Sequence, residues 1–218
     1  MSHQRSILRY GLASLMTAVA VVFTVVVAYV ARVSVDGQSV GLGAFNLWWL
    51  DLVGGAAWAR VLSDVMAGVA LAAVALCLVW QVVCLCRHQF TRRMFVWDVV
   101  LILLVACYGF FQIMMINYRP IPVNGVWEVA YPSSHVLLLV TVCPLVVDFI
   151  FWQLKAGPWR VVVSVIAYTV MVAGVLARAF SGYHWLTDIL GGILWGAALL
   201  TWYYAVCARM VAKHGVGG

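Results

Sequence analysis

Charge is scarce in this chain. Asp, Glu, Lys and Arg make up 9% of its 218 residues, and seven residues are acidic. A soluble domain carries about 25% charged residues, so a water-facing surface of ordinary composition is excluded. Proline is sparse as well, at five. No long polar linker, low-complexity segment or internal repeat interrupts the chain, so one compact helical domain over residues 1–218 is expected. The six cysteines, Cys77, Cys84, Cys86, Cys107, Cys143 and Cys207, fall inside apolar runs or at their ends. Cys84-Leu-Cys86 lacks the spacing and partners of a zinc site, and no disulfide framework is expected.

What the chain has is apolar length. Hydrophobic residues make up 66% and the mean hydropathy is +1.06, the composition of a polytopic membrane protein. Six spans are expected: about 10–31, 58–86, 95–117, 133–154, a fifth ending near 178, and about 184–207. The first is read as a retained helix behind a short polar leader, 1–9. It exceeds the 7–15-residue core of a signal peptide, and no small-x-small cleavage site follows. Residues 32–57 carry Asp36-Gly37, Gly54-Gly55 and the aromatics Phe45, Trp48 and Trp49. They are read as an interfacial segment with a short amphipathic helix.

The net charge of +6 does not point to nucleic acid, because the basic residues flank the apolar runs. With six spans, both termini share a side. That side receives Arg5, Arg9, Arg87, Arg92, Arg93, Lys155, Arg160, Arg209 and Lys213, nine of the thirteen Lys and Arg. The positive-inside rule makes it cytosolic, so the leader and the tail from 209 are expected there. Arg32, Arg60, Arg119 and Arg178 face the other side, where topology does not ask for them.

Three polar clusters fall on that extracytosolic side: Asn117-Tyr-Arg119-Pro120, Tyr131-Pro-Ser133-Ser134-His135, and the stretch from Arg178 through His184 to Asp188. His184 and Asp188 are four apart, one turn from each other on a helix. A carboxylate beside an imidazole fixes its tautomer and raises its nucleophilicity. Together the clusters suit phosphoryl transfer. Two guanidiniums neutralise phosphate oxygens. Ser133 and Ser134 begin a helix, whose free N–H groups favour an anion. One histidine can attack phosphorus while the other protonates the leaving alkoxide. No metal or other cofactor is expected. Each cluster alone has an equally good plain reading: a helix-end hydrogen bond, a loop-to-helix start, a snorkelling arginine.

The three motifs, in this order, resemble the type 2 phosphatidic acid phosphatase superfamily, membrane lipid phosphatases related in active site to vanadium haloperoxidases. That family shows Lys-x6-Arg-Pro, Pro-Ser-Gly-His and Ser-Arg-x5-His-x3-Asp. Here they read Gln112-x6-Arg119-Pro120, Pro132-Ser133-Ser134-His135 and Ala177-Arg178-x5-His184-x3-Asp188. The resemblance implies an all-α six-span protein with its site at the extracytosolic membrane face. It implies His184 as the nucleophile, forming a phosphohistidine, with Asp188 orienting it and His135 as general acid. Arg119, Arg178, Ser133 and the Ser134 backbone would hold the phosphate, joined by Gln112 in the place of the family lysine. Gln112 brings no charge, and Ala177 removes a hydroxyl.

The implied substrate is a lipid phosphate or diphosphate reached from the bilayer, such as undecaprenyl diphosphate, phosphatidylglycerol phosphate or phosphatidate. A phosphotransferase is a variant of the same chemistry. A small transporter is the reading from another class, supported by the intramembrane carboxylates Asp64 and Asp148, and a lapsed lipid-binding member is a third. Asp64 is expected to pair locally with Arg60, Asp98 and Asp148 to pair with Arg92, Arg93 or backbone, and Glu128 to be solvated.

Overall fold

The computed structural model describes residues 2–153 and 157–214, with side chains for 6–153 and 157–212. Expectations placed on Arg5, Lys155 and Lys213, and on residues 154–156 and 215–218, lie outside the described side chains. Seven helices and one small hairpin follow in order: α1 (Ser2–Tyr29), β1 (Val33–Val35), β2 (Gln38–Val40), α2 (Gly43–Val53), α3 (Ala57–Cys86), α4 (Arg92–Met114), α5 (Ser134–Gln153), α6 (Trp159–Phe180) and α7 (Leu186–His214). All but α2 are long and apolar enough to cross a membrane. The six expected spans are therefore present, displaced by a few residues at their ends.

Two displacements have causes that matter for the site. The third span stops at Met114 rather than Asn117, because Met115 turns left-handed (φ 46°) and starts the Pro-containing loop. The sixth starts at Leu186, two residues after His184. The 32–57 segment is also more built than expected. Asp36 and Gly37, both at positive φ, close the β1–β2 hairpin, as a two-residue turn requires. Helix α2 carries a fully buried Asn46. Its amide donates to Gly41 O and Thr187 Oγ1, and its Oδ1 accepts from Thr187 N–H, so α2 caps the start of α7.

Helix α5 is the central element. Of its most apolar stretch 61% is buried, against 39% for α7 and less for the others. Glycines set its distance from α7. A Cβ at Gly192 would stand 2.9 Å from Val136 Cβ, and one at Gly196 would meet Val140 at 2.9 Å. Small residues four apart let two apolar helices meet backbone to backbone, where lipid gives no hydrophobic drive to association. Gly174 does the same on α6, where a Cβ would meet Leu139 of α5 at 2.5 Å and Met66 of α3 at 2.9 Å. These contacts draw α3, α5, α6 and α7 together at the end of the bundle that holds all three motifs.

At the opposite end Arg93 binds Asp148, and Tyr203 donates to the same carboxylate. Asp148 is thus paired with Arg93, as expected. Asp98 departs from the expectation: it accepts from Gln81 of α3 instead of an arginine. All six cysteines are free.

Candidate active site

The turn between α6 and α7 places the histidine of the third motif. Ser181 Oγ donates to Arg178 O at 2.7 Å and accepts from Tyr183 N–H, which winds the chain out of α6. Gly182 follows at φ 71°, where a Cβ would lie 2.7 Å from Gly55 Cα. The linker before α3 packs on this turn, and Ala56 N–H donates to Phe180 O at 3.0 Å. His184 is the next residue but one, and it is buried.

His184 and Asp188 do not meet along a helix face, because His184 precedes α7. Asp188 instead occupies the third position of α7 and reaches back. Its Oδ2 accepts the N–H of Trp185 at 3.0 Å, the reciprocal half of a capping box. The helix-end reading and the catalytic reading therefore describe one carboxylate. Its other oxygen accepts from Asn117 Nδ2 at 3.3 Å. His184 Nδ1 lies 3.5 Å from Oδ2, a separation that closes on substrate binding in many active sites.

The loop 115–133 brings in the other two motifs. Asn124 and Gly125, at φ 52° and 78°, close a hairpin in which Arg119 N–H donates to Glu128 O and Ala130 N–H to Asn117 O. Asn117 is wholly buried and also accepts from Gly41 N–H, so it ties this loop to the α1–α2 connection and to Asp188. The second motif is tied to the third by backbone: Ser133 N–H donates to Asp188 O at 2.9 Å. That N–H is consequently spent on the scaffold, and Ser133 offers its buried Oγ instead, which has no partner among the described residues. Ser134 opens α5, whose first-turn N–H groups have no intrahelical acceptor.

Arg178 Nη2 lies 3.1 Å from His184 Nε2. A guanidinium can only donate, so Nε2 accepts through its lone pair and the ring proton sits on Nδ1, facing Asp188. Burial, foremost, and then the charges of Arg178, Arg119 and His135 hold the His184 pKa well below the ordinary histidine value. His184 is a neutral imidazole with its lone-pair nitrogen toward a cation. Gln112, Arg119, Glu128, Ser134 and His184 line one polar cavity of about 280 Å³. An apolar groove of about 250 Å³, lined by residues of α3, α4 and α5, adjoins it and shares Tyr108 and Ser134.

Every expected site residue is found at this end of the bundle. Two carboxylates belong there too, against expectation. Glu128 keeps much of its side chain exposed, as expected, but it also pairs with Arg119 at 2.8 Å. Asp64 is not confined to a local pair: Arg60 Nε is 3.9 Å away, while His135 Nε2 lies 3.1 Å and Arg178 Nη1 3.3 Å from its Oδ1. Arg60 turns to the hydroxyl and ring face of Tyr183. The signal that could have found Asp64 is charge balance. It is a membrane-span carboxylate at the end where Arg60, Arg119 and Arg178 stand without a topological reason.

Comparison with known proteins agrees with this arrangement. A sequence model of the PAP2 superfamily matches residues 114–210, which include Arg119-Pro120 and the second and third motifs. Among curated proteins none matches the chain. Among solved structures, the crystal structure of the first transmembrane PAP2 type phosphatidylglycerolphosphate phosphatase from Bacillus subtilis superposes with a TM-score of 0.59. The match covers 91% of this chain and 96% of that one, at 17% identity, a likeness of fold. The resemblance seen in the three motifs thus holds in sequence over residues 114–210 and in fold over nearly the whole chain.

Proposed function

We propose that this chain is an integral-membrane lipid phosphatase that works through a phosphohistidine and without a metal ion. The observation that carries the reading is the 3.1 Å contact of Arg178 Nη2 with His184 Nε2 beside an open polar cavity. His184 and Arg119 line that cavity, and Arg178 holds the unprotonated ring nitrogen of His184. The PAP2 match supports a phosphatase, and the adjoining apolar groove supports a substrate with a lipid chain.

In this reading a phosphate enters the polar cavity and takes over the guanidiniums of Arg119 and Arg178. The Ser134 N–H and Ser133 Oγ complete its cradle, with Gln112 at the cavity wall. His184 Nε2 bonds phosphorus as the bond to the leaving oxygen breaks, and that oxygen takes a proton from His135. The cation formed on the His184 ring is balanced by Asp188 on its Nδ1 side. Water, deprotonated by His135, then displaces the histidine and releases phosphate. The basic residues described at the opposite end, among them Arg87, Arg92, Arg93 and Arg160, support a reading in which that end and both termini face the cytosol and the site lies at the extracytosolic face.

The test is phosphate release by purified protein in detergent from phosphatidate, phosphatidylglycerol phosphate and a polyprenyl diphosphate, with and without EDTA. Release from at least one lipid is expected, unchanged by EDTA and lost in His184→Ala. An acid-labile, base-stable phosphoenzyme is expected in the wild type. Full activity in His184→Ala, or no release from any of the lipids, sinks the proposal.

A further inference from the structure

Asp64 has no counterpart in the three motifs, yet it contacts two residues of the site from a fourth element. Its Oδ1 lies 3.1 Å from His135 Nε2 and 3.3 Å from Arg178 Nη1. The position is built. Ser63, its neighbour, is wholly buried. Met66, half a turn on, packs where Gly174 leaves room for α3 to approach α6. The ring of His135 is thereby divided. Nε2 faces a carboxylate, and Nδ1 is buried with no hydrogen-bond partner among the described residues. The charged groups around His135 are otherwise cationic, Arg178 and Arg119, so Asp64 supplies the negative charge that an imidazolium there would need.

We infer that Asp64 is a positioning residue for the acid step: it holds His135 by Nε2 and leaves Nδ1 to serve the leaving group. This rests on the phosphatase reading given above. The step balances. As His184 Nε2 bonds phosphorus, the P–O bond to the leaving group breaks and its electron pair stays on oxygen. That oxygen takes the Nδ1 proton of the His135 imidazolium, giving the free alcohol. His135 remains neutral, its other proton on Nε2 toward Asp64. In the second step Nδ1 takes a proton from water as the water oxygen bonds phosphorus and the P–N pair returns to His184.

A leaving group that needs no proton exposes this role. p-Nitrophenolate departs unaided, whereas the alcohol of phosphatidate does not. Asp64→Asn is expected to lower kcat on phosphatidate about a hundredfold, the scale of general acid catalysis, with KM within about threefold. The pre-steady-state burst of p-nitrophenolate, which reports the first step alone, should stay within about threefold, which also shows that the variant folds. His135→Ala should lose steady-state turnover of both substrates, because His135 also deprotonates the water, while its p-nitrophenolate burst persists, and Asp64→Glu should recover part of the loss. Equal effects of Asp64→Asn on phosphatidate turnover and on the p-nitrophenolate burst, beside a persisting burst in His135→Ala, overturn the inference and leave the phosphatase reading intact. Faster turnover or tighter inorganic phosphate binding in Asp64→Asn overturns it as well, since Asp64 would then be an occupant of the anion site. A wild type that hydrolyses neither substrate overturns the reading and the inference together.

Discussion

Arg178 and His184 share a hydrogen bond of 3.1 Å in which only the guanidinium can donate. The bond fixes the imidazole tautomer before any substrate arrives, and it places the cation where phosphate charge would develop. A lysine at position 178 has a point charge and no fork. It cannot hold Asp64 and His184 at the same time from two fixed nitrogens. Arg178→Lys is therefore expected to cut kcat about a hundredfold or more, the usual cost of losing one preorganised oxyanion donor. Steady-state assays on detergent-purified protein check this; activity within twofold of wild type would remove Arg178 from its assigned place.

The pH behaviour of His184 follows from its lowered pKa. Below about 6.5 the unfolded chain binds a proton at this residue that the folded chain refuses, so folding stability falls as pH drops through that value. His184→Asn removes this proton uptake. Thermal denaturation from pH 5 to 8 should show the wild type losing more stability toward acid than the variant does. If His184 is the nucleophile, its lowered pKa keeps the attacking ring unprotonated as pH falls through the ordinary histidine value. Phosphoenzyme formation from p-nitrophenyl phosphate should then stay nearly level between pH 5.5 and 7.5.

Gln112 lines the same cavity as Arg119, Glu128 and His184. Replacing it with lysine adds a cation without a carboxylate of its own, in a cavity whose Arg119 already faces Glu128. One added unit charge near a bound phosphate favours it by about 1–2 kcal/mol in a partly shielded site. Gln112→Lys should lower the inhibition constant for inorganic phosphate about tenfold. An unchanged constant would mean that position 112 does not reach the anion.

Gly182 combines positive φ with a close approach to Gly55. Alanine there adds left-handed strain and a clash against backbone, at a cost of about 1–3 kcal/mol. Gly182→Ala should lower the melting temperature in detergent and reduce turnover more steeply than stability, because His184 is two residues away. Gly11→Ala serves as the control, since its added Cβ meets nothing within 4 Å.

The spans and the motif cluster were legible in the sequence because each rests on a local signal. Hydropathy over some twenty residues marks a span, and fixed spacing marks a motif. What was missed depends on pairing across distance. The contacts of Asp64 reach residues 71 and 114 positions later, while its neighbour Arg60 offered a plausible local partner. Glu128 read as solvated because its pairing needs the hairpin turned by Asn124-Gly125, which puts it opposite Arg119. The spacing of His184 and Asp188 was read correctly as proximity but for the wrong reason. A capping box, not a helix face, brings them together.

The polar cavity and the apolar groove share Tyr108 and Ser134. For a lipid substrate that junction means the headgroup reaches His184 while the chain stays in hydrocarbon. Such a catalyst samples a two-dimensional solution. Its rate should saturate with the mole fraction of substrate in the micelle or bilayer, and diluting the substrate with inert lipid at constant bulk concentration should slow it.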